Sequence, residues 1–494
     1  MRPDAALALA LAALLAAPAA HAEDPDLYEY GDQLLTLAIG PNKAPRAGRS
    51  RVLVVPVDLG TGGNFAALAP FFDPAPTAGY TFSNYLRRQS GDRLDVDTFV
   101  MDPIVFDGCP VDVPGCRFGT DNIGAAIEAI RQIFERLLAE LPRPLSDFDL
   151  GGPDGVPDGW VDGVILLIPG YAGGIAPPVW PFLEVIADGV QVGHAAISQL
   201  DREIVLHEYG HNLGACDQYL WDFEHSLMSW CDDCSFDVHT RAKLGWASVV
   251  DVAPDTEVLA HLRPSVDAGP VLRVGGPSEY FLVEYRDTHK VGAKAVDPGL
   301  DGVLVVHVDE TVRPPLLAQT DYPEHHALLE MEHPTDAASR TWFAVGDTLE
   351  PTPDHGPTTE SQAWRDTNTY DGRRTGIRVS VEAADDSDPS APFVRVRVRG
   401  PSAAGATPTL VDLTSPSPPA DDPIAEPGPD VIEPPSDTAS PDAAAPDTLG
   451  ADTATDLPRS SRDGCAGAPP SAALTALLGL LALFAVRARH SPRG

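Results

Sequence analysis

The residues with the clearest potential for chemistry lie between His207 and Asp217, where the sequence reads HExxHxxGxxD. Positions i and i+4 of a helix share a face, so His207 and His211 can direct their imidazoles at one metal ion. Glu208 lies beside that face, too close to act comfortably as a third ligand, and can take a proton from water on the metal. Gly214 can adopt a positive φ that ends the helix and turns the chain back, which brings Asp217 within reach of the metal. The pattern predicts a zinc site with three protein ligands and one position open to water.

Two later residues are rivals of Asp217 as the third ligand. Glu224 and His225 follow a short loop, and in this alternative the ligand comes from a later element, as in zinc peptidases with a distant glutamate. Gly214 and the spacing that follows it favour Asp217. The competing structural interpretation, a surface helix with solvated histidines, is disfavoured because chance matches to the full pattern are rare.

Hydrophobic patterning predicts the elements that position these residues. The active-site helix runs through His211, and a long amphipathic helix, which Pro142 stops, is expected to bury its apolar stripe in the core. The expected elements are buried strands at 51–57 and 161–169, a strand at 93–101, an edge strand beside the cleft at 190–198, and helices at 80–89, 120–141 and 236–246.

Short β-like runs separated by turn signals dominate the chain from about 250 to 400. They lie at 271–274, 280–285, 302–308, 377–381 and 393–398. The prediction is therefore an α/β catalytic domain at 48–250, followed by a β-rich domain at 251–400.

The composition excludes one class of partner. The chain has 494 residues, enough for two or three domains, and a formal net charge of −38 from 34 basic and 72 acidic residues. Binding to phosphate backbones requires clustered Lys and Arg, so nucleic acid is not an expected partner.

The first residues predict export. An apolar run from Ala5 to Ala20 leads to the small residues of Ala20-His21-Ala22 and then to acidic residues, which is typical of a signal peptide at 1–22. Residues 23–47 fit a short pro-segment or leader. Export places the mature protein in an oxidising compartment in which disulfides form.

The last part of the sequence predicts attachment to the cell surface. Residues 401–463 contain no aromatic residue and are rich in Pro, Ala, Asp and Thr, so we expect a disordered acidic stalk. Residues 464–494 hold Cys465, an apolar run at 472–486, and then arginines, which fits a hydrophobic C-terminal helix. The segment predicts either a permanent membrane anchor or a transient sorting signal. Its order of cysteine, apolar run and arginines resembles the Cys-containing tripartite sorting signals of bacterial surface proteins, which would imply processing near Cys465.

The six cysteines are too few for a disulfide scaffold in a chain of this length. Cys109 and Cys116 can close a short loop, and Cys216 can pair with Cys231 or Cys234. A redox or metal pair at Cys231 and Cys234 is the alternative, and a structural bridge is favoured because no second CxxC exists.

A segment rich in Asp and Gly, from Asp147 to Asp162, allows two interpretations. Its carboxylates are spaced so that they could bind calcium, although they do not match an EF-hand. Asp and Gly also favour turns, and we prefer the interpretation as turns.

The catalytic stretch resembles the immune inhibitor A family of secreted zinc metallopeptidases. The resemblance covers roughly residues 48 to 400 and is sharpest from His207 to Tyr219. It extends to Ser226-Leu-Met-Ser229, similar to the family's methionine turn, and to Arg241–Trp246, similar to its following helix. The runs at 280–285 and 302–309 look like its β extension.

The resemblance implies a metzincin-like fold, in which a twisted sheet with a backing helix and an active-site helix is followed by a β-rich part. It also assigns a role to each residue of the site. His207, His211 and Asp217 would bind zinc, Glu208 would be the general base, and Met228 would lie beneath the site. The family usually has Leu-Pro before the ligand Asp and Glu-Tyr after it, whereas this chain has Ala-Cys and Gln-Tyr there. That difference can change the surroundings of the metal and its affinity.

Two functions of different class follow as expectations. The first is a secreted or surface-anchored zinc endopeptidase that acts on proteins or peptides and contacts the cell envelope through its tail. The second is a surface-displayed binding or adhesion protein with an inactive peptidase-like domain. The intact set of His, Glu, His and Asp favours the enzyme, because a silent domain has no chemical need for all four.

Overall fold

A computed structural model describes the chain from residue 44 to residue 412, with gaps. The gaps are 60–63, 74–78, 107–122, 152–155, 170–173, 176–178, 180–182, 184, 216–217, 219–224, 230, 232, 268, 292–293, 311–328, 335–340, 354–365, 371–372, 386–391 and 404–408. The signal peptide at 1–22, most of the leader at 23–47 and the tail at 464–494 lie outside the described residues. So do Cys109, Cys116, Cys216, Asp217 and Glu224, and Cys465 in the tail.

The first part of the chain is an α/β unit around a largely parallel sheet. Its strands are β1 (Gly48–Asp58), β2 (Leu94–Val100), β3 (Ile104–Val105), β4 (Val164–Leu167), β5 (Gly174–Ile175), β6 (Ile186–Ala187), β7 (Val190–Gln191) and β8 (Ala196–Ser198). Its helices are α1 (Phe65–Leu68), α2 (Phe82–Gln89), α3 (Ile123–Glu140), α4 (Arg202–Asn212) and α5 (Val238–Lys243). The main sheet has the order β2-β1-β4-β8-β5, with β3 also on β1, and of its described pairings only β5–β8 is antiparallel.

A layer of apolar side chains covers each face of this sheet. Successive residues of a strand point to opposite faces, so Val52 and Val54 of β1 join a cluster with α4, whereas Leu53 and Val55 join a cluster with α3. Every residue of β4 is buried, as expected for a parallel strand covered on both sides. The sheet thus forms a rigid support beneath α4, the helix of the predicted site.

The second part is built from β-strands. They are β9 (Val249–Val252), β10 (Glu257–Leu262), β11 (Val271–Gly275), β12 (Glu279–Arg286), β13 (His289–Val291), β14 (Lys294–Val296), β15 (Gly302–Asp309), β16 (Leu329–Met331), β17 (Thr348–Leu349), β18 (Arg378–Asp385), β19 (Phe393–Arg399) and β20 (Thr409–Asp412). They form sheets of order β16-β15-β12-β11-β9 and β17-β18-β19-β10-β20, with apolar residues of both sheets in one cluster. The predicted β-rich character of this part is confirmed.

One hairpin of the β-rich part packs into the core of the first part. Val291 of β13 and Val296 of β14 are buried in the cluster that contains Val205 and Leu206 of α4. The core beneath the predicted site therefore includes side chains from both parts.

Most elements predicted near the site are confirmed, with ends shifted by a few residues. The strand predicted at 190–198 is wrong in two respects. The described chain forms only the short strands β7 and β8 there, and β8 is not at the edge because β5 pairs with it antiparallel. A strand of two residues has no alternating pattern to detect, so the sequence did not predict β5.

The stalk predicted from residue 401 also needs a correction. Residues 409–412 form β20, which pairs in parallel with β10. A four-residue strand can join a sheet edge through its backbone, and a composition averaged over some sixty residues hides so short a run. Residues 413–463 lie outside the described part.

Among the described residues, no helix combines the length and apolarity needed to cross a membrane. The apolar run at 472–486 lies outside them.

Candidate metal site on helix α4

The helix that carries both histidines begins at a well-formed cap. The Asp201 carboxylate accepts hydrogen bonds from the backbone N–H groups of Glu203 (3.0 Å) and Ile204 (3.2 Å). Such a cap satisfies N–H groups that have no partner in the first turn. The helix then continues through His211, as the sequence predicted.

The two histidines lie together on this helix, in a nearly buried position. Their ring centroids are 5.0 Å apart and their planes are almost perpendicular, at 88°. His207 is 8% exposed and His211 3% exposed. The i, i+4 spacing thus brings the two imidazoles into contact.

Each histidine uses the same ring nitrogen to bind a backbone carbonyl. His207 Nδ1 donates to the carbonyl oxygen of Leu227 at 2.9 Å, and His211 Nδ1 donates to that of Ala215 at 2.8 Å. A carbonyl can only accept, so Nδ1 carries a proton and the neutral ring has its lone pair on Nε2. Metal-ligating histidines typically have this arrangement, because the second hydrogen bond fixes the tautomer and orients the ring.

The turn at Gly214 places the carbonyl of Ala215, which accepts the hydrogen bond of His211. The φ of Gly214 is +97°, as expected for a glycine that ends a helix. The N–H of Gly214 binds the carbonyl of His211 (2.9 Å), and the N–H of Ala215 binds that of Gly210 (3.0 Å). The predicted role of Gly214 in ending the helix is confirmed, and its turn brings the Ala215 carbonyl to His211.

Met228 lies directly against the middle of α4. It is fully buried, and a Cβ added to Gly210 would lie 2.7 Å from its sulfur and 2.9 Å from the ring of Phe236. Gly210 is within one helical turn of both histidines. Met228 therefore packs against α4 between the two histidines, and its place beneath a metal site stays a prediction.

The third ligand position cannot be filled from the described residues. Among them there is no group of three or more His, Cys, Asp or Glu side chains that could hold a metal ion. Asp217 and its rival Glu224 lie outside that part of the chain. The other rival, His225, has its Nε2 2.6 Å from the hydroxyl oxygen of Thr341.

Glu208 is 5% exposed and follows His207 on α4. The helix therefore places Glu208 next to His207 in the chain, in a nearly buried position. A carboxylate can accept a proton from a neighbouring water molecule.

A third histidine, His194, lies near this pair, although no sequence motif selects it. Burial, together with the charge of His211, lowers the pKa of His194 to about 4. His194 precedes β8 in the segment predicted to lie beside the cleft. Only its position in that segment could have identified it in advance.

The first turn of α4 carries a carboxyl group with a raised pKa. Burial, with a hydrogen bond to Asp233 as the next cause, raises the pKa of Glu203 to about 8. Lys294 of the β13–β14 hairpin contacts Asp233 at 2.7 Å and Glu203 at 3.7 Å. Glu203 therefore keeps its proton at neutral pH, beside the Asp233 carboxyl group and one lysine.

Cys231 and Cys234 form a disulfide, with their Cα atoms 5.6 Å apart. The two cysteines are therefore bonded to each other, and their role as a structural bridge rather than a redox pair stays a prediction. The expected pairing of Cys216 with one of them is wrong, because each already bonds to the other over a span that disulfide geometry allows.

Backbone N–H groups bind two carboxylates of the Asp-Gly segment. Asp149 accepts from Asp158 (3.1 Å) and Gly159 (2.8 Å), and Asp162 accepts from Arg51 at 2.7 Å. Burial raises the pKa of Asp162 to about 7. The contacts of Asp149 are those of a turn, whereas the contact with Arg51 ties Asp162 to β1. Calcium binding in this segment stays a prediction.

A comparison of the chain with models of known families gives no match, and a comparison with curated proteins gives none either.

Proposed function

We propose that the chain is a zinc-dependent endopeptidase, of the kind that the resemblance to the immune inhibitor A family implies, with a metzincin-like catalytic unit. The observation that carries the proposal is the pair of hydrogen bonds from His207 and His211 to backbone carbonyls. Both bonds put the lone pair of the neutral ring on Nε2, and an imidazole nitrogen with a lone pair is a ligand that zinc binds.

The two imidazoles fit a zinc site, which needs one more protein ligand. His207 and His211 supply two imidazole nitrogens, and Asp217 is proposed as the third ligand on the strength of its spacing after Gly214. When bound, zinc supplies Lewis acidity that makes water a better acid and polarises a peptide carbonyl.

The residues of this chain then have separate tasks. Glu208 takes the proton of the water that attacks the peptide bond and passes it to the leaving nitrogen. The Leu227 and Ala215 carbonyls hold the two imidazoles in one tautomer, and Met228 supports the helix from beneath. We further propose that the predicted signal peptide and tail place this enzyme at the cell surface, where proteins or peptides are its substrates.

The test uses the purified exported protein and its Glu208→Gln variant. Bound zinc is measured by elemental analysis, and cleavage of an unfolded protein substrate is followed with and without a chelator. We expect both proteins to hold zinc and only the wild type to cleave, with the chelator abolishing its activity. Cleavage by the variant at the wild-type rate would reject the role of Glu208. A wild type that holds zinc without cleaving would favour the binding protein with an inactive domain.

A further inference from the structure

A side chain from the β-rich part contacts the turn that supplies the acceptor of His207. The acceptor is the carbonyl of Leu227, and Leu227 lies in the segment 225–229, called here the Met228 turn. Arg286, the last residue of β12, donates from Nη1 to the carbonyl oxygen of His225 at 2.7 Å. The contact lies two residues before Leu227 in the chain.

The same guanidinium group also holds a second segment that is paired with the Met228 turn. Arg286 Nη2 donates to the carbonyl of Phe236 at 2.9 Å. The N–H of Leu227 donates to the carbonyl of Ser235 at 2.8 Å, which joins the two segments directly. Arginine suits this bridge because its planar group presents donors in a fixed fork.

Two buried carboxylates orient Arg286 from its other side. Its Nε donates to Glu284 at 2.9 Å, and Nη1 lies 3.5 Å from Asp297. Asp297 in turn accepts from both the N–H (2.9 Å) and the hydroxyl (2.6 Å) of Ser235. Burial lowers the pKa of Arg286, but Glu284 and Asp297 outweigh it and the net direction is upward. The guanidinium therefore stays charged and fixed in place.

Ser226 secures the turn from within. Its hydroxyl donates to Asp237 at 3.2 Å and accepts from the N–H of Met228 at 3.1 Å. Asp237 itself caps α5 through Thr240. The backbone on both sides of the Leu227 carbonyl is thus held by side chains that are almost inaccessible to solvent.

Buried ion pairs often contribute little net stability, because desolvation offsets their attraction. The position of these contacts points to another purpose, since they end on the backbone beside the carbonyl that orients His207. We propose that Arg286 is a positioning residue, which holds the Met228 turn so that the Leu227 carbonyl keeps the His207 imidazole oriented for zinc. This inference rests on the proposed zinc site and adds a determinant of its affinity outside the HExxH helix.

The expected size of the effect follows from metal sites in general. Removing a group that orients a ligand typically lowers metal affinity by about 10- to 100-fold. Arg286 acts through the backbone of the turn, so we expect a loss of about tenfold for a substitution that keeps the charge but breaks the bridge.

The test compares Arg286→Lys with Arg241→Lys in the full-length exported protein. Arg241 is a matched control, because it is also buried, also pairs with Glu284 and also donates to the Phe236 carbonyl (3.2 Å). The hydrogen bonds and ion pair described for Arg241 reach Phe236, Ser265 and Glu284 rather than the Met228 turn. The affinity for zinc is measured by competition with a chromogenic chelator, and stability by urea unfolding of the metal-free protein.

We expect both variants to be less stable and only Arg286→Lys to bind zinc about tenfold more weakly. The proposal is overturned if Arg286→Lys binds zinc as the wild type does, or if the two variants lose affinity equally. A wild-type protein that binds no zinc rejects the metal site itself, and this inference with it.

If Arg286→Lys does not fold, the Ser226→Ala variant tests whether the Met228 turn positions His207. This change removes the two hydrogen bonds of the Ser226 hydroxyl while nearly preserving volume. A severalfold loss of zinc affinity supports the positioning role of the turn, whereas unchanged affinity contradicts it.

Discussion

Gly210 and Met228 are in contact across the underside of α4, with no room for a Cβ between them. An added Cβ would lie 2.7 Å from the Met228 sulfur and 2.9 Å from Phe236. The absence of a side chain at position 210 thus allows the Met228 turn to approach the helix backbone between the two histidines. The same close approach brings Leu227 within hydrogen-bonding distance of His207.

Gly210→Ala is expected to destabilise the protein by about 1–3 kcal/mol, because extra volume in a packed core forces shifts of side chains and backbone. Urea unfolding of the metal-free protein measures the loss. The double variant Gly210→Ala/Met228→Ala removes the sulfur that the new methyl group meets, so the two changes should cost less together than the sum of their separate costs. Strict additivity would show that the contact is not as close as described.

Gly214→Ala is expected to weaken both stability and zinc binding. A positive φ costs a residue with a Cβ about 1–2 kcal/mol, and relief of this strain moves the Ala215 carbonyl away from His211. Zinc affinity should fall by about tenfold or more, since that carbonyl orients a ligand. Chelator competition and urea unfolding provide the two measurements.

Gly245→Ala is the matched control for that variant. Gly245 has a φ of +72° after the end of α5, and an added Cβ there meets no atom within 4 Å. We expect a similar loss of stability with zinc affinity unchanged. Equal losses of affinity in both variants would show that the effect comes from general destabilisation.

Much of the α4 region could be predicted, because its signals are local. The turn at Gly214 follows from the tolerance of glycine for positive φ, and the spacing of His207 and His211 follows from the helix period. The acceptor of His207 could not be predicted, because a backbone carbonyl has no sequence signature. Arg286 was missed for a related reason: its contact with the Met228 turn exists only once distant parts of the chain have folded together.

A chain truncated after residue 252 is expected to lose cooperative unfolding. Val291 and Val296 are buried in the core beneath α4, and their removal leaves a cavity beside Val205 and Leu206. A chain ending at residue 412 retains them and serves as the control. Calorimetry should show a single sharp transition for the longer chain and a broad or absent one for the shorter. A sharp transition in both would mean that residues 44–252 fold without the hairpin.

Glu203→Gln is expected to flatten the dependence of stability on pH. The folded pKa of Glu203 is about 8, above the ordinary value of 4.5, so the folded protein retains a proton that the unfolded chain releases. The stabilisation that this group contributes is therefore complete below pH 4.5 and is lost as the pH rises towards 8. Glutamine is neutral throughout, so the variant should gain stability relative to the wild type as the pH rises through this range.

Urea midpoints measured from pH 5 to pH 8 test this expectation, with Glu128→Gln as the control. Glu128 is exposed on α3, and its hydrogen bond with Arg131 lowers its pKa to about 2. The contribution of Glu128 to stability therefore changes only below pH 4.5. The plot of stability against pH for Glu128→Gln should run parallel to that of the wild type across the measured range. Burial raises the pKa of Asp162 to about 7, so stability still falls somewhat as the pH rises in all three proteins. A Glu203→Gln curve that also runs parallel to the wild type would show that Glu203 does not hold a proton in the folded state at neutral pH.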